Sequence, residues 1–186
     1  MKDRKSQIIE EYEINPNTMM IMPIEYGSKV YARIYELEDE ILSPFKPIDI
    51  IKKSCRFFGA SYEGRKEGTR QLTGITHKSP ITIDPTNLIY FFPTASASNS
   101  SCIWISYENV HHYEPVDGGM TEVIFKNRQA HIIPVSHNIF QNQILRTALL
   151  KTTLNSRIEE SERKAIYFFK RKKEERMSEH LKMFHK

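Results

Sequence analysis

Two short, predominantly apolar runs constrain this chain more than any other feature. LIYFFP (88–93) and CIWISY (102–107) are rich in aromatic and β-branched side chains, and the polar stretch PTASASNSS (93–101) separates them. Runs this short do not make a stable helix, and they lack the alternation of a strand with one wet face. Both are expected as buried strands, joined by a surface loop. The second carries the chain's only tryptophan, Trp104.

More strands are expected around them. Residues 8–14 and 18–24 read as short strands broken by Asn15-Pro16-Asn17, a turn sequence. KVYARIYELE alternates Val30, Ala32 and Ile34 against Tyr31, Arg33 and Tyr35, the period of a half-buried strand, with Gly27-Ser28 as the turn before it. Further strands are expected at 71–76, 79–83, 109–114, 121–126 and 130–135, with turns at Asp84-Pro85-Thr86-Asn87, at Asp117-Gly118-Gly119 and around Asn127.

Helical signals flank this strand-rich region. In 47–58, Pro47 suits a first turn, Ile48, Ile51, Cys55 and Phe58 share one face, and Gly59 stops the helix. The segment Ala60–Thr69, with two glycines, reads as a loop. Ser136 or Asn138 caps a second helix that carries Phe140, Ile144, Thr147, Ala148 and Leu150 to about Leu154. A third is expected over 157–184, carrying Ile158, Ala165, Ile166, Phe169, Met177, Leu181 and Phe184, interrupted by KRKKEER. The fold class is α+β: an antiparallel β-sheet with an inserted basic helix and a helical C-terminus. Residues 1–154 form one domain and 155–186 a basic helical tail.

Composition excludes several classes. With 186 residues and 11% aromatics the chain can bury a core, which wholesale disorder does not. No apolar run approaches a membrane span, and MKDRKSQIIEEYE has no apolar segment of a secretory signal. Two cysteines, Cys55 and Cys102, make no disulfide framework, so a cytoplasmic protein without a membrane partner is expected.

The net charge of +4 conceals strong segregation. Residues 1–51 carry net −4, 52–78 net +5, 79–145 net −3 and 146–186 net +6. The first basic block holds Lys52, Lys53, Arg56, Arg65, Lys66, Arg70 and Lys78 against two acids, Glu63 and Glu67. Clustering of this kind favours a polyanion, because each cation placed on a phosphate releases condensed counterions. These seven residues are the candidate DNA contacts, with Arg65, Lys66 and Arg70 expected closest to DNA and Lys52, Lys53 and Arg56 neutralising phosphates. The tail's KRKK (170–173), between Tyr167-Phe168-Phe169 and Met177, suggests a partner or adaptor peptide, a dimerisation helix or further phosphate contacts. The plain alternative for both blocks is a solvated helix face.

No catalytic motif survives inspection. Gly59-Ala-Ser-Tyr-Glu-Gly64-Arg65-Lys66 imitates a phosphate loop, but Arg65 stands where lysine is needed and Lys66 where a hydroxyl must hold magnesium. His111 and His112 are adjacent, so on a strand they face opposite sides. Neither cysteine has a second Cys or His at metal-ligand spacing, although His77 or His131 could approach Cys55 in space. The expectation is a protein that is not an enzyme and needs no cofactor.

Four blocks then carry a family resemblance: SCRFFGASYEGRKEGT (54–69), ITHKSPITIDPTNLIYFFPT (75–94), WISYENV (104–110) and PVSHNIFQNQILRTALL (134–150). In order and spacing they resemble the ComK family, competence transcription factors of Bacillus and its relatives. The resemblance covers about residues 50–154 well and 12–49 loosely, and the C-terminal region departs in length and composition. It implies a sequence-specific DNA-binding activator of DNA-uptake genes and of its own promoter. It further implies paired A-rich and T-rich boxes approached from the minor groove, and a homodimer or dimer of dimers on DNA. RNA polymerase and an adaptor for the Clp protease are the implied protein partners. The resemblance assigns no contact residues; the seven basic positions rest on charge and spacing. The competing reading is a non-catalytic module that binds a protein or an anionic surface through the same patches.

Overall fold

The computed structural model describes residues 8–184, with side chains described to Met177. The described elements run β1 (Thr18–Tyr26), β2 (Lys29–Glu36), β3 (Glu40–Ser43), α1 (Pro47–Phe57), α2 (Tyr62–Thr73), β4 (Ile81–Asp84), β5 (Ile89–Pro93) and β6 (Trp104–Ser106). They continue with β7 (Val110–Val116), a 3-10 turn at Asp117–Gly119, β8 (Met120–Phe125), β9 (Ala130–Ile133) and α3 (His137–Phe184). The strands form two antiparallel sheets, one ordered β3-β2-β1-β6-β5-β4 and the other β7-β8-β9. The α+β class is as expected. By its contacts the chain divides into two units, the first ending at Lys151 and the second beginning at Thr152.

In the first unit the centre of the six-stranded sheet is buried on both faces, which is why β5 and β6 are apolar apart from Ser106. The pairings Phe91–Ser106 and Ile21–Trp104 turn one way, and Phe92–Ile105 and Met20–Ile105 turn the other. Phe91, Trp104 and Ile21 join Ile50, Ile51 and Cys55 of α1 and Tyr62 of α2 in one core. Phe92, Ile105 and Met20 join Val123 and Phe125 of β8 and Phe140 of α3 in a second. The three-stranded sheet needs only one dry face, and β8 alternates accordingly, with Thr121, Val123 and Phe125 buried.

Polar side chains lock the layers. Asn109 is buried and its amide donates to the carbonyls of Pro16 and Thr18 and to Ser106 Oγ. Gln143, buried on α3, donates to the carbonyls of Pro93 (2.6 Å) and Lys78 (3.1 Å). Helix α2 runs along edge strand β4, where Thr69 Oγ1 donates to Pro80 O at 2.9 Å and Arg65 donates to Ile83 O at 3.3 Å. This edge is therefore not open to a foreign strand.

Four sequence expectations change. Of residues 60–69, read as a loop, 62–69 belong to α2, and the strand expected at 71–76 is the end of that helix and the turn after it. Ser61 caps α2, its Oγ accepting from the Gly64 N–H at 2.9 Å. Tyr62 and Thr69, seven apart, bury one face, and Gly74 (φ 74°) closes the helix in the left-handed conformation. Gly64 and Gly68 weaken the helical signal without preventing packing from completing it.

Residues 8–14 make no strand beyond a single bridge between Ile8 and Leu42. Their apolar alternation instead buries Tyr12 and Ile14 against the sheet and α1, where the Ile14 N–H donates to Ser54 Oγ. The two helices expected after Ser136 are one helix of 48 residues, because Asn155 and Ser156 are poor helix formers but not breakers. The expectations for α1, β2, β5, β8 and β9 stand, within a residue or two at the ends. The side chains of Leu181 and Phe184, and residues 1–7 of the expected non-signal N-terminus, lie outside the described residues.

Gly68 is helical, and a β-carbon built there would meet nothing within 4 Å. Gly68→Ala is therefore expected to stabilise the fold by about 0.5–1 kcal/mol, the helix-propensity difference. Ser61→Ala is expected to cost about 1 kcal/mol through the lost cap. Opposite shifts of the melting temperature, each about 2–4 °C per kcal/mol, are the check.

Candidate nucleic-acid interface

The seven basic candidates sit on α1, on α2 and in the turn that follows. Each helix places an acid in its first turn (Asp49, Glu63) and a base in its last (Arg56, Arg70), the arrangement its dipole favours. What separates the seven is how each charge is already engaged.

Tyr62 joins the two helices. Its ring is buried edge-on to Trp104, with centroids 6.3 Å apart, and burial, then the neighbouring Glu63 charge, pushes its hydroxyl up to about 12. Over this neutral ring stand the ammonium groups of Lys52 from α1 and Lys66 from α2, each 5.9 Å from the centroid. Two cations thus share one ring, an attraction worth about 0.5–1 kcal/mol each at exposed sites.

Several of the other charges are occupied. Lys53 lies 3.9 Å from Glu13, and Lys66, besides the ring, lies 3.5 Å from Glu63. Arg70 grips Glu67 through Nε and Nη2 at 2.9 and 2.7 Å. Hydrogen bonds from Arg70 and Gln71 hold the Glu67 carboxyl down at about 2. The pairing with Arg70 is thus complete above the usual carboxylate range and is lost only as pH falls through about 2. Exposed pairs of this kind contribute little, so a phosphate can replace the carboxylate at small cost.

Arg65 is turned inward. Its Nη2 reaches Ile83 O and its buried Nε has no acceptor, so it holds α2 to β4. Lys78 is exposed in the turn, at φ 46°, and its carbonyl accepts from Gln143. Lys52 and Arg56 are exposed and make no ion pair with another described residue. Beside them Phe57 is 66% exposed, an aromatic that the sequence reading left unassigned. Its only signal was its place outside the apolar face of α1.

The groups considered for chemistry lie apart. Cys55 and Cys102 belong to the first core, whereas His131 packs against Tyr35 and Phe125 on the other side of the sheet. His111 contacts Arg128, and His112 pairs with Glu114. Among the described residues no three His, Cys, Asp or Glu side chains gather as a metal site, and no helix is long and apolar enough to cross a membrane. The segment that imitates a phosphate loop is a tight turn and the first turn of α2, a helix-to-helix connection.

Burial pushes the Cys55 thiol up to about 11, with Arg65 and Arg56 only partly opposing it, and burial also raises Cys102. Both thiols are expected to resist Ellman's reagent at pH 8 in the folded protein and to react fully in guanidinium. Rapid labelling of either in the native state would contradict this assignment.

Comparison with known proteins adds a separate line. A family model described as ComK protein matches residues 9–159. The competence transcription factor of Bacillus subtilis (strain 168) is 40% identical over 176 residues, covering 95% of this chain and 92% of that one. That coverage leaves too few residues for the alignment to end before the tail. No solved structure matches.

Proposed function

Because the chain belongs to the ComK family, we propose that it is a DNA-binding transcriptional activator of competence, recognising A·T-rich duplex from the minor groove. The observation that carries the reading is the pair of exposed cations on α1 with no acid partner among the described residues, Lys52 and Arg56, beside Lys66 on the Tyr62 ring. We assign phosphate neutralisation to these three and to Lys78. Arg70 joins by exchanging Glu67 for a phosphate, and Lys53 by leaving Glu13. Arg65 is assigned to positioning α2.

The chemistry follows from the groove. In the minor groove A·T and T·A pairs present the same acceptors, so discrimination there rests on groove width, deep negative potential and bendability. Cations on short, rigid helices suit that mode, since phosphate contacts set position and affinity. Exposed Phe57, next to Arg56, adds an apolar surface of the type that partly unstacks a base step. Competence (DNA-uptake) genes as targets, two or four copies on one promoter, contact with RNA polymerase and delivery to a Clp protease by an adaptor all belong to this proposal, through the family.

The test is a salt-titrated fluorescence-anisotropy measurement on a duplex with A-tract and T-tract boxes, beside a G·C-rich duplex of equal length. Tighter binding to the first, with a steep salt slope, is expected. Lys52→Ala with Arg56→Ala is expected to flatten that slope by about two, at roughly 0.9 per lost phosphate contact, without lowering the melting temperature. Equal, weak binding to both duplexes would favour a protein or anionic-surface partner instead. A double variant with an unchanged slope would remove α1 from the interface.

A further inference from the structure

The second unit, from Thr152 on, presents a helix whose charges are sorted by face. Two ion pairs close within it, Glu160–Lys164 at 2.6 Å and Arg171–Glu175 at 2.9 Å. At roughly 100° per residue these four lie together on one side. On the opposite side Glu159, Glu162, Ile166, Phe169, Lys170 and Lys173 fall on a stripe about 100° wide. The four charged residues of that stripe are exposed and pair with no other described residue. Ile166 is 54% and Phe169 76% exposed, and Met177, 58% exposed, continues the line.

Along the axis the stripe reads acid, apolar, base, and it is symmetric in position and opposite in sign about Ile166. Glu162 and Lys170 stand four residues to either side of it, and Glu159 and Lys173 seven. The geometry points to a second copy of this chain as the occupant, its tail helix antiparallel with the two-fold axis at Ile166. Each Glu162 then meets Lys170 of the other copy and each Glu159 meets Lys173, while Ile166 meets its symmetry mate and Phe169, three residues from the axis, packs beside Ile166 of the other copy. A parallel arrangement would set glutamate on glutamate and lysine on lysine. The interface is isologous and closes at two copies.

Charge also argues against the other occupants. The acidic half of the stripe repels nucleic acid and an anionic membrane as strongly as the basic half attracts them. Only a surface with the reverse order of charge satisfies both halves, and an antiparallel copy has that order. The paired segment is about 21 Å long at 1.5 Å per residue, which suits a reversible, micromolar association. Two copies agree with the assembly included in the proposed function, but the inference is argued from the charges of the tail alone and does not rest on that reading.

The test is sedimentation equilibrium of the full chain without DNA, with circular dichroism to confirm that each variant is folded. Wild type is expected to dimerise in the micromolar range. Glu159→Lys with Glu162→Lys, and separately Lys170→Glu with Lys173→Glu, are each expected to weaken dimerisation by roughly tenfold or more through like-charge contacts. An equimolar mixture of the two double variants is expected to form a heterodimer at least as tight as wild type. All four changes in one chain are expected to restore the homodimer, since the antiparallel pairs are then merely exchanged. A wild type that stays monomeric throughout this range would overturn the inference and leave the face to a different partner. So would a dimer that no variant weakens, or double variants that fail to pair when mixed. None of these outcomes bears on the DNA titration, and failure of that titration leaves this one intact.

Discussion

Strands β5 and β6 send Phe91 and Trp104 to one side of the sheet and Phe92 and Ile105 to the other, and neither side can be left wet. Each of these side chains is fully buried, and burying one contributes about 1.5–3 kcal/mol or more. A six-stranded sheet with such a centre must be covered twice. Helices α1 and α2 supply one cover, and the β7-β8-β9 sheet with Phe140 of α3 supplies the other. The positions of the basic residues follow from this demand, because the helices that carry them are held by their apolar faces.

The covering helices also solve a problem at the sheet margin. Strand β4 is an edge, and all four of its residues are buried. Thr69 and Arg65 bind its margin through the carbonyls of Pro80 and Ile83, so α2 is fixed in direction as well as in depth. Tyr62 then anchors the start of α2 beneath Trp104 and gives Lys52 and Lys66 a common ring to stand over. A cluster of positive charge is thereby built on rigid elements, with each of the two ammonium groups attracted to the Tyr62 ring. Groups held this way lose little freedom when a polyanion arrives.

Much of this was legible in the residues. The runs 88–93 and 102–107 announced buried strands because uniform apolarity has no other use in so short a segment. The alternation at 29–36 and 120–125 announced one-sided strands, and Pro47 and Gly59 bracketed α1. Where the signals misled, local chemistry and packing disagreed. Gly64 and Gly68 read as loop residues, yet Ser61 caps the segment and the buried face of Tyr62 and Thr69 holds it helical. Tyr12 and Ile14 alternate as a strand would, but their burial is achieved by side chains inserted between sheet and helix. At the site, charge clustering located the basic block and set Arg65 among the residues nearest DNA, but it did not show how each charge is engaged. Ranking required knowing that Arg65 turns to a carbonyl, that Arg70 and Lys66 have acids on the adjacent turn, and that Lys52 and Arg56 have none.

By itself the sequence determined the class of fold, the buried strands, the segregation of charge and the absence of a catalytic motif. All of these depend on residue type and short-range spacing. Which strands neighbour which, which helix seals the edge, and which cations lack an acid partner were decided only by the tertiary structure. Those properties depend on contacts between residues far apart in the chain, such as Arg65 with Ile83 and Asn109 with Thr18, and no local pattern encodes such a pairing. The tail marks the boundary between the two. Its acid–apolar–base order is visible in one dimension, but only a continuous helix turns that order into a single face.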